Sequence, residues 1–220
     1  MLRKREVETT GAGRGFDEVI TSRERLREIY GTPHPRARDK VIDHIDEVCR
    51  RYIAAAPFVL MATRGGDGLL DLSPKGDPAG FVHVLDPHTL ALPDRPGNNR
   101  LDSFENLLDH PEIALLFLIP GHSDTLRVSG RARLVRDGAL QAEFAVNGRE
   151  PSLVVVIDVT EAFTHCPKCV VRSGLWTPER WPDRSDVPSL GEALRAHVGI
   201  EQPEAEVQES VEKSIREGLY

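Results

Sequence analysis

The chain has 220 residues, of which 40% are hydrophobic and 29% charged, and its formal net charge at pH 7 is −7. This length suits one globular domain with helical additions, and the acidic balance argues against nucleic acid as a partner. The sequence contains no run of about 18 apolar residues, the length needed to cross a membrane. The three cysteines do not suggest a disulfide framework, and the basic residues 1–5 precede no apolar run. We therefore expect a cytoplasmic protein.

Helical patterns dominate the first quarter of the chain. Residues 1–15, rich in Gly, Thr and Arg, predict a loose tail. Apolar residues recur at helical spacing over residues 17–30 and again over residues 36–55, with Gly31 and Pro57 as the stops. We expect two helices here.

The pattern then changes to short strands separated by turns. Residues 64–68 (Arg-Gly-Gly-Asp-Gly) predict a hairpin turn, and Gly130 predicts a bulge in a longer strand. The predicted strands are residues 58–63, 69–73, 81–85, 89–92, 112–119, 125–135 and 153–159. Short strands at this spacing favour a small antiparallel barrel with helices at its ends. Further helices are predicted over residues 137–146, 189–198 and 203–217.

Residues 93–108 begin in turn chemistry and end in a predicted helix. Asn98 or Asn99 is a suitable N-cap, and Arg95 and Arg100 place two cations at the helix start. A helix start with free N–H groups, arginines and asparagines is a candidate seat for a phosphate. The alternative is that Arg100 pairs with a neighbouring carboxylate.

Two segments carry a resemblance to a known family. The first is the strand–turn block 58–92, which contains Asp-Leu-Ser-Pro-Lys-Gly-Asp at 71–77. The second is residues 92–121, which contain Pro-Asp-Arg-Pro-Gly-Asn-Asn-Arg. Together with later motifs over 125–132 and 165–176, these segments resemble the pyridoxamine 5′-phosphate oxidase-like flavoproteins, and most of all a bacterial branch known only as FMN-binding.

The resemblance implies an α+β fold built on a six-stranded split antiparallel barrel, and a homodimer with two FMN sites at its interface. It divides the chain into N-terminal tail and helices packed on the barrel (1–55), an FMN-binding core (56–176) and a C-terminal helical extension (177–220). The residues it assigns to the cofactor, together with the phosphate seat, are Ser73, Lys75, Arg95, Asn98, Asn99, Arg100, Arg127, Arg172 and Trp176.

The chain departs from the true oxidases in ways that concern the substrate. Pro74 interrupts the first flavin-contacting strand, and Asp71 stands where the oxidases carry arginine. Only Arg172 and Trp176 match the residues that hold pyridoxal phosphate. We therefore expect an FMN-binding oxidoreductase with an unknown small-molecule substrate. The alternatives are a flavin-binding module without turnover, a heme- or deazaflavin-binding relative, and a structural dimer with an empty site.

Several residues also admit a purely structural interpretation. Ser73 and Lys75 could form an ordinary turn, Arg127 could face solvent, and Trp176 could pack at an interface. No side chain is an evident proton donor, so the sequence names no catalytic residue. Cys166 and Cys169 have the C-x-x-C spacing of zinc or redox sites, but without a second pair we expect free buried thiols and no metal.

Overall fold

The computed structural model describes residues 15–220, so the predicted tail over residues 1–15 lies outside the described residues except for Gly15. The described chain divides into two compact units, with the boundary after Asp39. The first unit contains the helices α1 (Arg23–Tyr30) and α2 (Pro35–Asp39). Helix α1 begins later than predicted because the Ser22 side chain caps it there.

One antiparallel sheet forms the centre of the second unit. Its strands are β1 (Phe58–Arg64), β2 (Leu70–Gly76), β3 (His83–Asp86), β4 (Thr89–Pro93), β5 (Glu112–Leu118), β6 (Thr125–Val135) and β7 (Val154–His165). Their order across the sheet is β2-β1-β5-β6-β7-β4-β3. The described residues thus form seven strands rather than six, and the sheet is not closed, because β2 and β3 are edges. Each of the seven predicted strand segments corresponds to one of these strands, whereas the expected six-stranded barrel is not confirmed.

Alternation of apolar and polar residues places the core on one face of the sheet. In β1, Val59 and Met61 are buried, whereas Phe58 and Arg64 at the two ends are exposed. Phe117 of β5 and Leu126 of β6 join the same core. Each fully buried side chain of this size contributes about 1.5–3 kcal/mol, so the pattern fixes which face points inward.

The predicted bulge at Gly130 is confirmed. The pairing of β6 with β7 shifts register between Ser129 and Gly130. A Cβ atom on Gly130 would lie 2.2 Å from the carbonyl oxygen of Asp158. Glycine is therefore required by the close approach of two backbones.

The single helix predicted over residues 36–55 is wrong. The structure has α2 and then α3 (Glu47–Ala55), because Ile42 leaves the helical path and its main chain pairs with Ala162 in β7. The Asp46 side chain then starts α3 by accepting from the main-chain N–H of Cys49 at 2.8 Å. Through Ile53, this helix buries its apolar face in the core.

The remaining helices follow the sheet strands along the chain. They are α4 (Asp102–Asp109), α5 (Gly138–Glu143), α6 (Lys168–Ser173), α7 (Leu190–Val198) and α8 (Glu204–Glu217). Helices α7 and α8 pack closely, and the main-chain N–H of Gly191 donates to the Gln208 side chain at 3.0 Å. Among residues 15–220, no helix combines the length and apolar character that a membrane span requires.

Candidate functional site

A cavity of about 640 Å³ lies beside the edge strand β2. Its walls come from three separate stretches of chain, with Tyr220 added. They are residues 71–75 of β2, residues 94–104 before and at the start of α4, and residues 149–152. Cavities of roughly 300–1,000 Å³ are typical of cofactor and small-molecule sites.

Six of the nine predicted cofactor residues line this cavity. They are Ser73, Lys75, Arg95, Asn98, Asn99 and Arg100. Because side chains alternate along a strand, Ser73 and Lys75 share one face of β2, and both are half-buried. The structure therefore brings together β2 and the loop before α4, two segments that the sequence linked only by resemblance.

Lys75 and Asp94 are a partly buried pair of opposite charges in the cavity. Burial lowers the pKa of Lys75, and Asp94 partly offsets that effect. Burial likewise raises the pKa of Asp94, with Lys75 opposing. Lys75 Nζ also lies 5.6 Å from the centre of the Phe104 ring. Incomplete solvation leaves both groups responsive to a charge placed between them.

The loop before α4 has an unusual backbone. Asn99 has φ of 55° and Leu101 has φ of 60°, and left-handed conformations are tolerated best by Gly and Asn. The Asn98 side chain accepts from the main-chain N–H of Arg100 at 3.1 Å. The expectation that Asn98 or Asn99 caps the helix is wrong: Leu101 occupies the N-cap position, with no side-chain hydrogen bond to the helix.

Arg100 lies at the rim of the cavity. Its Nε donates to Asp102 Oδ2 at 2.7 Å, and the two side chains remain 65% and 43% exposed. An exposed ion pair of this kind contributes about 0–1 kcal/mol. Little free energy would therefore be lost if Arg100 left Asp102 to pair with a more highly charged anion.

Arg95 has a different environment from Arg100. Its Nε donates to Asp77 Oδ2 at 2.5 Å, and its Nη2 donates to the main-chain oxygen of Phe144 at 2.9 Å. The Asp77 side chain is only 1% exposed. Arg95 thus connects the end of β2 with the loop that follows β4, and two of its donors already bind protein groups.

The other three predicted residues do not line the cavity. Arg127 pairs with Glu161 at 2.8 Å and lies over the ring of Phe163. Arg172 belongs to α6, and its main-chain oxygen accepts from Arg180. Trp176 donates from its indole nitrogen to the main-chain oxygen of His122 at 2.8 Å.

Asp94, Arg149 and Tyr220 are among the cavity residues that the sequence did not assign to the cofactor. Asp94 adjoins Arg95, and its position in a buried strand–loop junction is a signal that sequence analysis could have used. Arg149 and Tyr220 carry no such signal, because they lie far along the chain from the other two walls. Tyr220 meets Asp77 only in the fold, and Arg149 donates to the main-chain oxygen of Tyr220.

The three cysteines are free thiols. Cys49 is buried, and burial raises its pKa to about 11. Cys166 and Cys169 are exposed, so the expectation that they are buried is wrong. The short helix α6 buries only Val170, which leaves both flanking thiols at the surface. Within residues 15–220, no cluster of three or more His, Cys, Asp or Glu side chains is arranged to hold a metal ion.

Comparison with known protein families identifies a match for this chain. The model of the family described as pyridoxamine 5′-phosphate oxidase matches residues 45–166, which is more than half of the chain. No curated protein sequence matches significantly.

Several solved bacterial structures are similar to this one. HupZ of Group A Streptococcus is 20% identical, with 55% of this chain and 93% of that chain covered and a TM-score of 0.44. General Stress Protein 26 of Bacillus anthracis is 13% identical, with 52% and 88% covered and a TM-score of 0.42. An FMN-binding protein of Syntrophomonas wolfei is 9% identical, with 55% and 90% covered and a TM-score of 0.40. On the family match over residues 45–166, the chain belongs to the pyridoxamine 5′-phosphate oxidase family.

Proposed function

We propose that the cavity beside β2 binds FMN and that the protein is an FMN-dependent oxidoreductase with a small-molecule substrate. The observation that carries the proposal is that Lys75 and the loop 98–100 line one cavity of about 640 Å³. A flavin nucleotide presents an anionic phosphate at one end and a polar-edged ring at the other. The cavity offers cationic and amide groups suited to both.

The loop before α4 is the proposed phosphate seat. Asn98, Asn99 and Arg100 supply side-chain and main-chain donors, and the start of a helix favours negative charge. Arg100 is the strongest candidate because a guanidinium can donate two parallel hydrogen bonds to a phosphate. Arg95, already bound to Asp77 and Phe144, supports the loop from behind.

Ser73 and Lys75 are the proposed contacts for the ribityl chain and the polar edge of the ring. Bound FMN would supply the electron transfer, and the protein would supply position and electrostatics. A cation at Lys75 favours a ligand that gains negative charge on reduction. The partial burial of Lys75 strengthens this effect, since fewer water molecules screen its charge.

A homodimer is part of the proposal. Arg127, Arg172 and Trp176 lie outside the cavity of their own chain, and a second copy could bring them to it. Leu70 and Leu72 on the edge strand β2 are 77% and 64% exposed, next to the cavity. Covering such apolar surface is a common reason for subunits to associate.

The first experiment is the absorption spectrum of the purified protein. Paired bands in the near ultraviolet and the blue, which give a yellow solution, would indicate a bound flavin. A Soret band would instead indicate heme, and a colourless protein an empty site. Reduction followed by exposure to air and candidate acceptors would separate an enzyme from a module that only holds its flavin.

Arg100→Ala tests the phosphate seat. Loss of a charge-assisted hydrogen bond costs roughly 1.5–3 kcal/mol, or about one to two decades in affinity. FMN binding should weaken by that amount, whereas riboflavin, which lacks the phosphate, should bind both proteins equally. Arg133→Ala is the matched control, because Arg133 also makes an exposed ion pair, with Asp158 at 2.8 Å. Equal weakening of both ligands would contradict the proposed seat.

A further inference from the structure

Tyr220 reaches the cavity from beyond helix α8. Its hydroxyl donates to Asp77 Oδ1 at 2.6 Å, and its ring lies 5.9 Å from the guanidinium carbon of Arg95. Its main-chain oxygen accepts from Arg149. Contacts with three different segments, two through the side chain and one through the main chain, therefore fix Tyr220 at the cavity wall.

The group beneath Tyr220 is a buried ion pair. Both carboxylate oxygens of Asp77 are used, Oδ1 by Tyr220 and Oδ2 by Arg95 at 2.5 Å. The Asp77 side chain is 1% exposed and that of Arg95 is 17% exposed. A carboxylate removed from water in this way needs all its hydrogen bonds, because an unpaired oxygen there is costly.

This ion pair joins two walls of the cavity. Asp77 directly follows β2, which carries Ser73 and Lys75. Arg95 is the second residue of the loop after β4 that carries residues 98–100. Arg149, which contacts Tyr220, belongs to the third wall. Tyr220 thus contacts groups that belong to, or adjoin, all three walls.

We propose that Tyr220 is a positioning residue that docks on the Asp77–Arg95 pair, holds the three walls of the cavity together and slows the release of a bound ligand. The effect on release rests on the proposed function, with FMN as the ligand, whereas the effect on the walls is a property of the protein alone.

The charge environment of the phenol agrees with this arrangement. The hydrogen bond to Asp77, followed by burial, raises the pKa of Tyr220 above 10, while Arg95 opposes the shift. Among the described residues, Arg149 is a further charged group that contacts Tyr220, through its main-chain oxygen. A neutral phenol donates to Asp77, whereas a phenolate would lose that bond and repel the carboxylate.

The test compares wild type with Tyr220→Phe, which keeps the ring, and Tyr220→Ala, which removes it. Tyr30→Phe is the control, since Tyr30 is 77% exposed in the other compact unit. Without ligand, hydrogen exchange of residues 94–104 should be about two- to tenfold faster in Tyr220→Ala, the range that one hydrogen bond gives. The increase should be smaller in Tyr220→Phe and absent in the control.

Two further measurements separate positioning from general packing. The difference between the ultraviolet titrations of wild type and Tyr220→Phe isolates the ionisation of the Tyr220 phenol. This ionisation should occur above pH 10. FMN release from wild type should accelerate as the pH rises through the pKa of Tyr220. Release from Tyr220→Phe should already be fast at lower pH and should not change over this pH range.

The outcomes distinguish this inference from the proposed function. The positioning role would be overturned, whether or not FMN binds, by either of two results. One is unchanged hydrogen exchange of residues 94–104 in Tyr220→Ala, and the other is a Tyr220 phenol that ionises at or below pH 10. Faster exchange in a protein that binds no FMN would retain the role and reject the proposed cofactor. FMN release that is identical in all variants would also overturn the inference, with the cofactor proposal intact.

Discussion

The side-chain nitrogen of Asn106 lies 2.6 Å from a carboxylate oxygen of Asp71, and this hydrogen bond ties helix α4 to strand β2. The same nitrogen donates to the Thr63 hydroxyl in β1 at 3.1 Å. Asn106 and Thr63 are both buried. The helix that begins at the proposed phosphate seat is therefore fixed to the strand that carries Ser73 and Lys75.

We expect Asn106→Ala to lower the free energy of unfolding by about 1–3 kcal/mol, because two partners lose a buried donor. Urea denaturation, monitored by circular dichroism, measures the change. Gln202→Ala is the control, since that amide is exposed, and it should leave the midpoint unchanged. Equal midpoints for Asn106→Ala and wild type would show that the Asn106 hydrogen bonds contribute nothing to stability.

Gly130→Ala should destabilise the protein by about 1–3 kcal/mol or more, because its Cβ would collide with the main chain of Asp158. Gly138→Ala is the matched control, with open space around its Cβ at the start of α5. That change should be neutral or stabilise by about 0.4–1 kcal/mol. Similar thermal midpoints for the two variants would contradict the close approach at the bulge.

Asp94 should give the stability a specific pH dependence. Its pKa is raised above the ordinary 3.8, first by burial, so the native state takes up this proton at a higher pH than the unfolded state does. The free energy of unfolding of wild type, relative to Asp94→Asn, should therefore rise as pH falls through the raised pKa. The rise should end near 3.8. Urea titrations of both proteins between pH 3 and pH 8 measure the difference, and a constant difference would refute the shift.

Lys75→Gln should make the reduction potential of bound FMN more negative, since the reduced flavin loses a nearby cation. Each tenfold loss in preference for the reduced form corresponds to about 30 mV for a two-electron couple. Reductive titration with a reference dye measures the potential. Lys213→Gln, on the exposed face of α8, should not change it. A potential that is the same in all three proteins would place Lys75 away from the ring.

Local patterns predicted most of the sheet. Strand β4 and strand β5 lie within two residues of their predicted ends, because apolar runs bounded by turns leave few alternatives. Strand β7 was predicted only as far as Val159. Its second half carries Thr160, Glu161 and Thr164 among apolar residues, and this half-buried pattern is too weak to be recognised alone.

The candidate site was predictable only where its residues are close together in the sequence. Residues 98–100 lie in one turn, so their proximity follows from the sequence. The role of Arg95 does not, because its partners Asp77 and Phe144 come from other parts of the chain. Tyr220 is 143 residues from Asp77, and no local pattern predicts such a contact.

The strand order has a consequence for synthesis on the ribosome. Strands β1 and β2 can pair as soon as both have emerged, but β1 must wait for β5 to cover its other edge, and β4 must wait for β7. The edge of β4 thus stays open until its partner residues 154–158 have left the exit tunnel. Pairings between such distant segments form slowly, and exposed edges invite aggregation meanwhile. Slower translation or chaperone binding over residues 94–153 would therefore affect the yield of folded protein more than the same event after His165.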